Sequence, residues 1–414
     1  MSQTTAPETT ITSAPVEPAK NSLVAVLHDK TMRTPLFWSV IGRFPIYMVG
    51  IALVVSTASR DSNYLSAGLL LGAYTLGIAV VAPFVARRVD RLGQPPVLLI
   101  TGIVYPLALT GFVYAGRGSL TTQVVFVLLA GATNPPISGC IRSLWSASGS
   151  SMERVGLSIE AVLGEVFTIG GPLLFSLVLI WGSADAALLV GGLLAGVGAI
   201  GFATTQASRA RRVAAIERDS LGALRSAGLI RLLTVLLTCG VAAGVYNVAV
   251  PAFVNDHGSA HDVGLIFGVW GVGGILGGIW YGSRTLRRPV ELAFVIGTLA
   301  MSVCSVLVML AWDNWSISAA LFLLGAVGAP ATALSYQLVA RTARAGYVTE
   351  AFTWAITVSL AGTAVGAQLG GLVINAFDTR AAFLAVVVVM LLATAGAYAM
   401  RHRFEDHAEP VPTA

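Results

Sequence analysis

From Leu36 onward the chain alternates long apolar runs with short polar breaks. Each run holds about 20 residues, enough for a helix rising 1.5 Å per residue to cross a hydrocarbon layer of roughly 30 Å. The pattern predicts twelve membrane-spanning helices over 36–57, 64–86, 96–115, 121–144, 154–180, 185–205, 230–253, 261–281, 290–311, 316–340, 350–375 and 380–400. Residues 1–22 are rich in Thr, Ala, Pro and Ser and lack the basic start and apolar core of a signal peptide, so 1–30 is expected to be a disordered cytoplasmic tail.

Composition agrees and excludes the main alternative. Of 414 residues 56% are hydrophobic and 11% charged, whereas a soluble domain carries about 25% charged residues because its surface meets water. The mean hydropathy is +0.80, and the chain is read as an all-α membrane protein. Cys140, Cys239 and Cys304 all lie in apolar runs, which argues against a disulfide framework or thiolate metal site. His28, His257, His261, His402 and His407 fall outside the runs or at their edges, which removes an intramembrane histidine relay. No metal or cofactor is expected.

Charge placement orients the chain. Of the 25 basic residues, Arg60, Arg117 and Arg380 lie at the loops on one side and Arg43 lies within the first span. The remainder gather on the other side, so the positive-inside rule puts both termini in the cytoplasm. The net charge of +5 is then a product of topology, not a sign of nucleic-acid binding. The loop over 206–229, with Arg209, Arg211, Arg212, Glu217, Arg218 and Asp219, divides the spans six and six. This gives two pseudo-symmetric six-helix bundles, 31–205 and 230–400, followed by a cytoplasmic tail over 401–414. A shift of 194 lays Leu128–Ala132 on Phe322–Ala326 and Pro136 on Pro330. A parallel repeat and a chance match between two Ala/Leu/Gly-rich helices both account for that alignment.

Gly196, Gly198 and Gly201 form a G-x-G-x-x-G pattern, but deep in an apolar run without the strand that a nucleotide fingerprint needs. These glycines, with Gly274/Gly278 and Gly362/Gly366/Gly370, are read as surfaces for close helix packing. Asn134, Pro135 and Pro136 break the fourth span, a feature tolerated at membrane depth where backbone lines a cavity.

The loop from Pro83 to Pro95 contains Asp90, Arg91 and Gly93. It resembles the signature loop between the second and third helices of the major facilitator superfamily, with Ala86 in place of the usual glycine and Gln94 and Pro95 in place of the usual basic pair. Gly170, Gly171 and Pro172 in the fifth span resemble the Gly-Pro motif of exporters in that superfamily, although Phe175 and Ser176 replace its trailing glycines. The stretches Gly42–Pro45 and Thr349–Trp354 look like actinobacterial-type drug and metabolite exporters. The resemblance implies alternating access between two bundles, a conformational latch at Asp90, Arg91 and Gly93, and an interface motif at Gly170, Gly171 and Pro172. A solvated cluster of cytoplasmic charge is the plainer account of the loop.

Charge within the spans gives the strongest chemical clue. An ionised side chain at the bilayer centre costs about 2.5–3.5 kcal/mol on insertion scales, so such groups face protein or water and pair. Arg43 and Glu160 both lie roughly 10 Å deep by helical rise, which predicts an ion pair. Glu165 lies near mid-membrane, about 140° around the helix from Glu160, and is the freer proton carrier. Arg43, Glu160 and Glu165 are the proton-coupling candidates, and a static structural pair is the alternative for the first two. From superfamily architecture, where spans 1, 4, 7 and 10 face the centre, Asn134, Arg142, Tyr246, Asn247, Tyr336 and Gln337 are expected in the substrate cavity, with Trp354 from span eleven. Such largely neutral groups suit an amphipathic solute.

These readings point to a non-enzymatic, proton-coupled efflux antiporter for a small hydrophobic or amphipathic drug or metabolite. It would be a monomer of the inner cytoplasmic membrane whose partners are a small molecule, protons and the lipid bilayer, with no nucleic acid. The alternatives are a symporter or facilitator that imports a solute and, in another class, a transport-inactive membrane sensor or scaffold.

Overall fold

The computed structural model describes residues 30–61, 64–115, 119–147, 150–210, 223–258, 261–282, 288–343 and 347–401. The tails 1–29 and 402–414, and the central loop over 211–222, therefore lie outside the described residues. Every long element is an α-helix: α1 (Lys30–Arg43), α2 (Ile46–Asp61), α3 (Tyr64–Leu92), α4 (Gln94–Ala115), α5 (Leu120–Ala132), α6 (Ile137–Ala147), α7 (Ser150–Trp181) and α8 (Ala184–Thr204) in the first half. After the short α9 (Gln206–Ala210) come α10 (Ala227–His257), α11 (Asp262–Gly282), α12 (Val290–Met309), α13 (Asn314–Thr342), α14 (Val348–Ala376) and α15 (Thr379–Met400). Among the described residues, 11 helices or helix pairs are long and apolar enough to cross a membrane, and α7 adds an apolar stretch over Val166–Trp181.

Local chemistry sets the ends. Ser183, Ser226 and Asp378 accept hydrogen bonds from backbone N–H groups in the first turns of α8, α10 and α15, satisfying donors that a helix leaves unpaired. Asp313 and Ser316 form a reciprocal capping box at α13, and those hydrogen bonds hold the Asp313 carboxyl below its ordinary range. Gly93 at φ +85° turns the chain between α3 and α4, a conformation that favours glycine. Two spans are broken. Pro45 separates α1 from α2, and Pro135 and Pro136 separate α5 from α6, because proline has no N–H to donate and clashes with the preceding turn.

The halves repeat. Counterpart helices start at offsets from 194 (Leu120 to Asn314) to 198 (Tyr64 to Asp262), so the short alignment around Pro136 and Pro330 belongs to a repeat six helices long. The face on which Lys30 and Arg401 lie is called here the near face, and the opposite one the far face.

Near the far face the apolar core is continuous across both halves, with Met48, Leu70, Phe112 and Phe175 in one cluster with Tyr246, Phe253, Ile266 and Phe383. Toward the near face it splits into a first-half cluster around Leu98, Ile141, Trp145 and Phe202 and a second-half cluster around Leu229, Phe294 and Leu338. The joining contacts are tight. A Cβ at Gly68, Gly264 or Gly371 would overlap a carbonyl oxygen of the facing helix, so α3 meets α14 and α7 meets α11 backbone to backbone. Ser176 Oγ donates to the His261 carbonyl, and Tyr64 hydrogen-bonds Asn255 across the same junction. The halves are sealed at the far face, and a cleft separates them toward the near face.

Candidate functional site

The cleft has a charged wall and an aromatic wall. On the charged wall Arg43, the last residue of α1, places Nη1 3.0 and 2.8 Å from the two carboxylate oxygens of Glu160 on α7. Its guanidinium also lies 4.9 Å from the centre of the Phe167 ring. Both partners of this pair are buried. Arg142 on α6 reaches the same carboxylate less closely, with Nε 3.8 Å from Oε2, and 56% of its side chain is exposed. The reason is the two-sidedness of α6: Cys140, Ile141, Leu144 and Trp145 are buried, whereas Gly139 and Arg142 are exposed. Tyr47, at the start of α2 beside the Pro45 break, is 46% exposed.

On the aromatic wall Tyr336 of α13 is 46% exposed and stacks edge-on against Phe352. It lies within electrostatic range of both Tyr47 and Arg142 in the first half, so these three side chains face one another across the cleft. Trp354 is half-buried, packs against the near-face core of its own half and donates to Glu350 over 3.4 Å. Asn134 is half-buried at the α5–α6 break, its N–H bonded to the Gly131 carbonyl. Asn247 is half-buried on α10.

One expected cavity residue sits elsewhere. Tyr246 is 3% exposed and packs against Trp270 and Phe383 in the shared core. Its hydroxyl, near Ser305, lacks a hydrogen bond of good geometry. The neighbouring position, Asn247, takes the less buried side of α10. Gln337 is exposed beside Tyr336 and donates to the Tyr281 hydroxyl of α11 at 3.0 Å. Of the proton-coupling candidates, Glu165 falls on α7, and its side chain lies outside the described residues.

The family model described as Major Facilitator Superfamily matches residues 232–413. No curated protein matches the sequence. Among solved structures, the nucleoside transporter NupG superposes with a TM-score of 0.73 at 12% identity, covering 89% of this chain and 99% of its own. A bacterial homolog of the human lysosomal transporter Spinster, inward-facing and unoccupied, gives 0.72 at 14% identity, with 91% and 98% covered. A POT family transporter in complex with 5-aminolevulinic acid gives 0.73 at 10% identity, with 90% and 96% covered. The fold is that of the major facilitator superfamily.

Within the major facilitator fold the stretch from Pro83, expected as a loop, is helical up to Leu92, so Asp90 and Arg91 lie in the last turn of α3 and Gly93 alone joins it to α4 at the near face. Arg91 is exposed and Gly93 makes the turn, while the Asp90 side chain lies outside the described residues. Gln94, which stands where the family pattern has a basic residue, is 1% exposed and donates to the Cys140 carbonyl at 3.1 Å and Ser143 Oγ at 2.8 Å. It ties α4 to α6, the helix that carries Arg142. The Gly-Pro motif is divided between two neighbours. Gly170 and Gly171 pack on Phe44, Tyr47 and Met48 of their own half, and the Pro172 carbonyl meets Gly264 of the other.

Small-residue packing appears where expected at Gly198 against Gly42, and at Gly362, Gly366 and Gly370 against α10. On α11 the tightest contacts fall one residue earlier than expected: Gly273 and Gly277 press on the α13 backbone, while a Cβ at Gly274 or Gly278 would meet Gly325 or Ala329 of the same helix at 3.9 Å, an ordinary contact. An ion pair near the far face is one that sequence reasoning missed. Arg60 Nη2 lies 2.7 Å from Asp185 Oδ1, Ser56 Oγ donates to the same oxygen, and the Arg60 guanidinium lies 5.0 Å from the Phe112 ring centre. The available signal was that an acid and a base stand at the same membrane level. Among the described residues no cluster of three or more His, Cys, Asp or Glu is suited to a metal.

Proposed function

We propose that this chain is a secondary transporter working by alternating access, in which protons drive export of a small hydrophobic or amphipathic compound. The observation that carries the reading is the core that runs across both halves near the far face and divides in two toward the near face. Such a molecule has one seal and one opening, and exchanging them by rocking the halves moves a solute without moving a hole through the bilayer. The surplus of basic residues at the near face supports a cytoplasmic assignment for it by the positive-inside rule, which makes this the inward-open state of an inner-membrane protein acting as a monomer.

Proton coupling falls to the Arg43, Glu160 and Arg142 group together with Glu165. Protonating Glu160 releases two cations from one carboxylate, a charge change that differs between states whenever the cleft does. Glu165, five residues further along α7, acts as the mid-membrane relay. Import by symport uses the same parts with the opposite coupling, so direction is a matter for vesicles. In everted membrane vesicles with an imposed pH gradient, a panel of amphipathic compounds is expected to yield at least one accumulated against its own gradient. Glu165→Gln should abolish uphill accumulation while downhill exchange persists. Wild-type uphill transport by that variant would remove Glu165 from the mechanism, and absence of transport for the whole panel would favour a sensor or scaffold.

A further inference from the structure

Resting on the transport reading above, we propose that Arg142 is the anchor for a single carboxylate, and that the solute taken into the cleft is an aromatic or otherwise apolar monocarboxylate. Two arginines share one carboxylate here. Both Glu160 oxygens accept from Arg43 Nη1 at 3.0 and 2.8 Å, which leaves Arg142 at 3.8 Å, beyond a hydrogen bond. The three formal charges leave one positive charge over. It belongs to the member of the trio whose side chain is 56% exposed, whereas Arg43 and Glu160 are buried. A guanidinium offers a planar fork of donors that matches a carboxylate with two parallel bonds, and a low-dielectric cleft concentrates its field on whatever enters.

The surroundings specify the rest of the ligand. Tyr47 and Tyr336, each 46% exposed, lie within electrostatic range of one another, and Tyr336 lies within range of Arg142. Phe352 backs Tyr336 edge-on. An apolar or flat body held between aromatic side chains with its acid group on Arg142 satisfies both walls. Within this group of charges a phosphate dianion or a dicarboxylate would bring two negative charges to one spare positive charge. A cationic amphiphile would meet repulsion from the start.

Two measurements on the full chain in lipid nanodiscs test this. The first reads the field. A Cβ at Gly139, one turn from Arg142 on the exposed side of α6, meets no atom within 4 Å, so Gly139→Cys offers an open thiol once the three native cysteines are replaced by alanine. Its reaction with an anionic sulfonatoethyl methanethiosulfonate, relative to the cationic trimethylammonium reagent and normalised to a free thiol, is expected to favour the anion by about tenfold or more. Arg142→Gln should erase that preference, and Arg142→Lys should keep it. A ratio in the parent equal to that of the free thiol would overturn the proposal.

The second measurement reads the ligand. Calorimetric binding of 4-phenylbutyrate is expected, with affinity lowered about tenfold or more in Arg142→Lys, which keeps the charge but loses the fork. The methyl ester, phenylsuccinate and 4-phenylbutylamine should bind weakly or not at all. Equal binding of acid and ester, failure of the acid to bind, or transport of the amine undiminished by Arg142→Gln would each overturn the carboxylate while leaving the transport reading intact. Carboxylate binding without vesicle transport would support the anchor and count against the transport reading.

Discussion

The fourth and tenth spans start 194 residues apart, at Leu120 and Asn314, and differ at the two positions that matter most. Pro136 lies in the gap between α5 and α6, whereas its counterpart Pro330 lies inside the unbroken α13. Two consecutive prolines remove two N–H donors, and each also disfavours the helical conformation of the residue before it, so the chain leaves the helix. A lone proline removes one donor, and the helix continues past it. At the same offset Arg142 corresponds to Tyr336. The repeat therefore differs in chemistry between its halves: the first places a charged side chain where the second places an aromatic one.

The largest test of that asymmetry removes one member of the charged group. Arg43→Ala leaves Glu160 buried with only the long Arg142 contact and is expected to destabilise the folded protein by about 3–5 kcal/mol. Combining it with Glu160→Gln should recover much of the loss, because no uncompensated carboxylate then remains. Thermal unfolding in detergent across the double-mutant cycle measures this, and strict additivity would show that the pair is not coupled. A change on the aromatic wall of the other half, Trp354→Phe, removes a 3.4 Å hydrogen bond to Glu350 and should cost only about 0.5–1.5 kcal/mol.

The second test makes the halves alike. Ala329→Pro recreates the double proline of Pro135 and Pro136 within α13, where the helix is unbroken, and should cost about 3 kcal/mol. Retained stability would mean that α13 accepts a break, and that the difference between the spans lies elsewhere than in proline number.

These comparisons also explain what could be seen in the sequence. Twelve spans were legible because crossing a bilayer demands length and apolarity together, and neither needs tertiary information. Their ends were less so: α10 runs to His257 and α13 to Thr342, past the predicted 253 and 340, since a helix continues into the interface while its cap and backbone bonds hold. Arg43 and Glu160 were paired by depth alone, because burial leaves an ion few choices. Helix faces were harder. On α11 the glycines at 271, 273, 274, 277 and 278 offer several small-residue stripes at nearly equal spacing, and only packing chooses Gly273 and Gly277. Tyr246, expected in the cavity, packs in the shared core for the same reason, since a polar group in a span serves a neighbouring helix as readily as a cavity.

A third test acts on the seal. Gly264→Ala drives a methyl group into the Pro172 carbonyl and Ser176 Oγ, an overpacking costing about 1–3 kcal/mol. That cost falls only on the state in which α7 and α11 touch here, so the population should move toward the state open at the far face. Thiol labelling from the two sides reads the shift, and unchanged labelling would mean that α7 and α11 stay in contact in both states.

The smallest effect is expected at the near face, where the halves stand apart. If Asp90 latches the opposite state, it acts only when the near-face ends of the two halves come together. Its loss should then leave ligand affinity within a given state unchanged and alter only the balance between states. Losing about 1.4 kcal/mol of such differential stabilisation changes that balance roughly tenfold. Asp90→Asn is expected to change it by less than this, because Ala86 departs from the signature pattern and Gln94 is already committed to Cys140 and Ser143 and has no donor to spare for a partner across the cleft. Labelling should therefore fall at the far face and rise at the near face, in the opposite sense to Gly264→Ala. Combining the two substitutions should bring the distribution back toward that of the parent. A change in intrinsic ligand affinity with unaltered labelling would place Asp90 in the binding site and end its assignment as a latch.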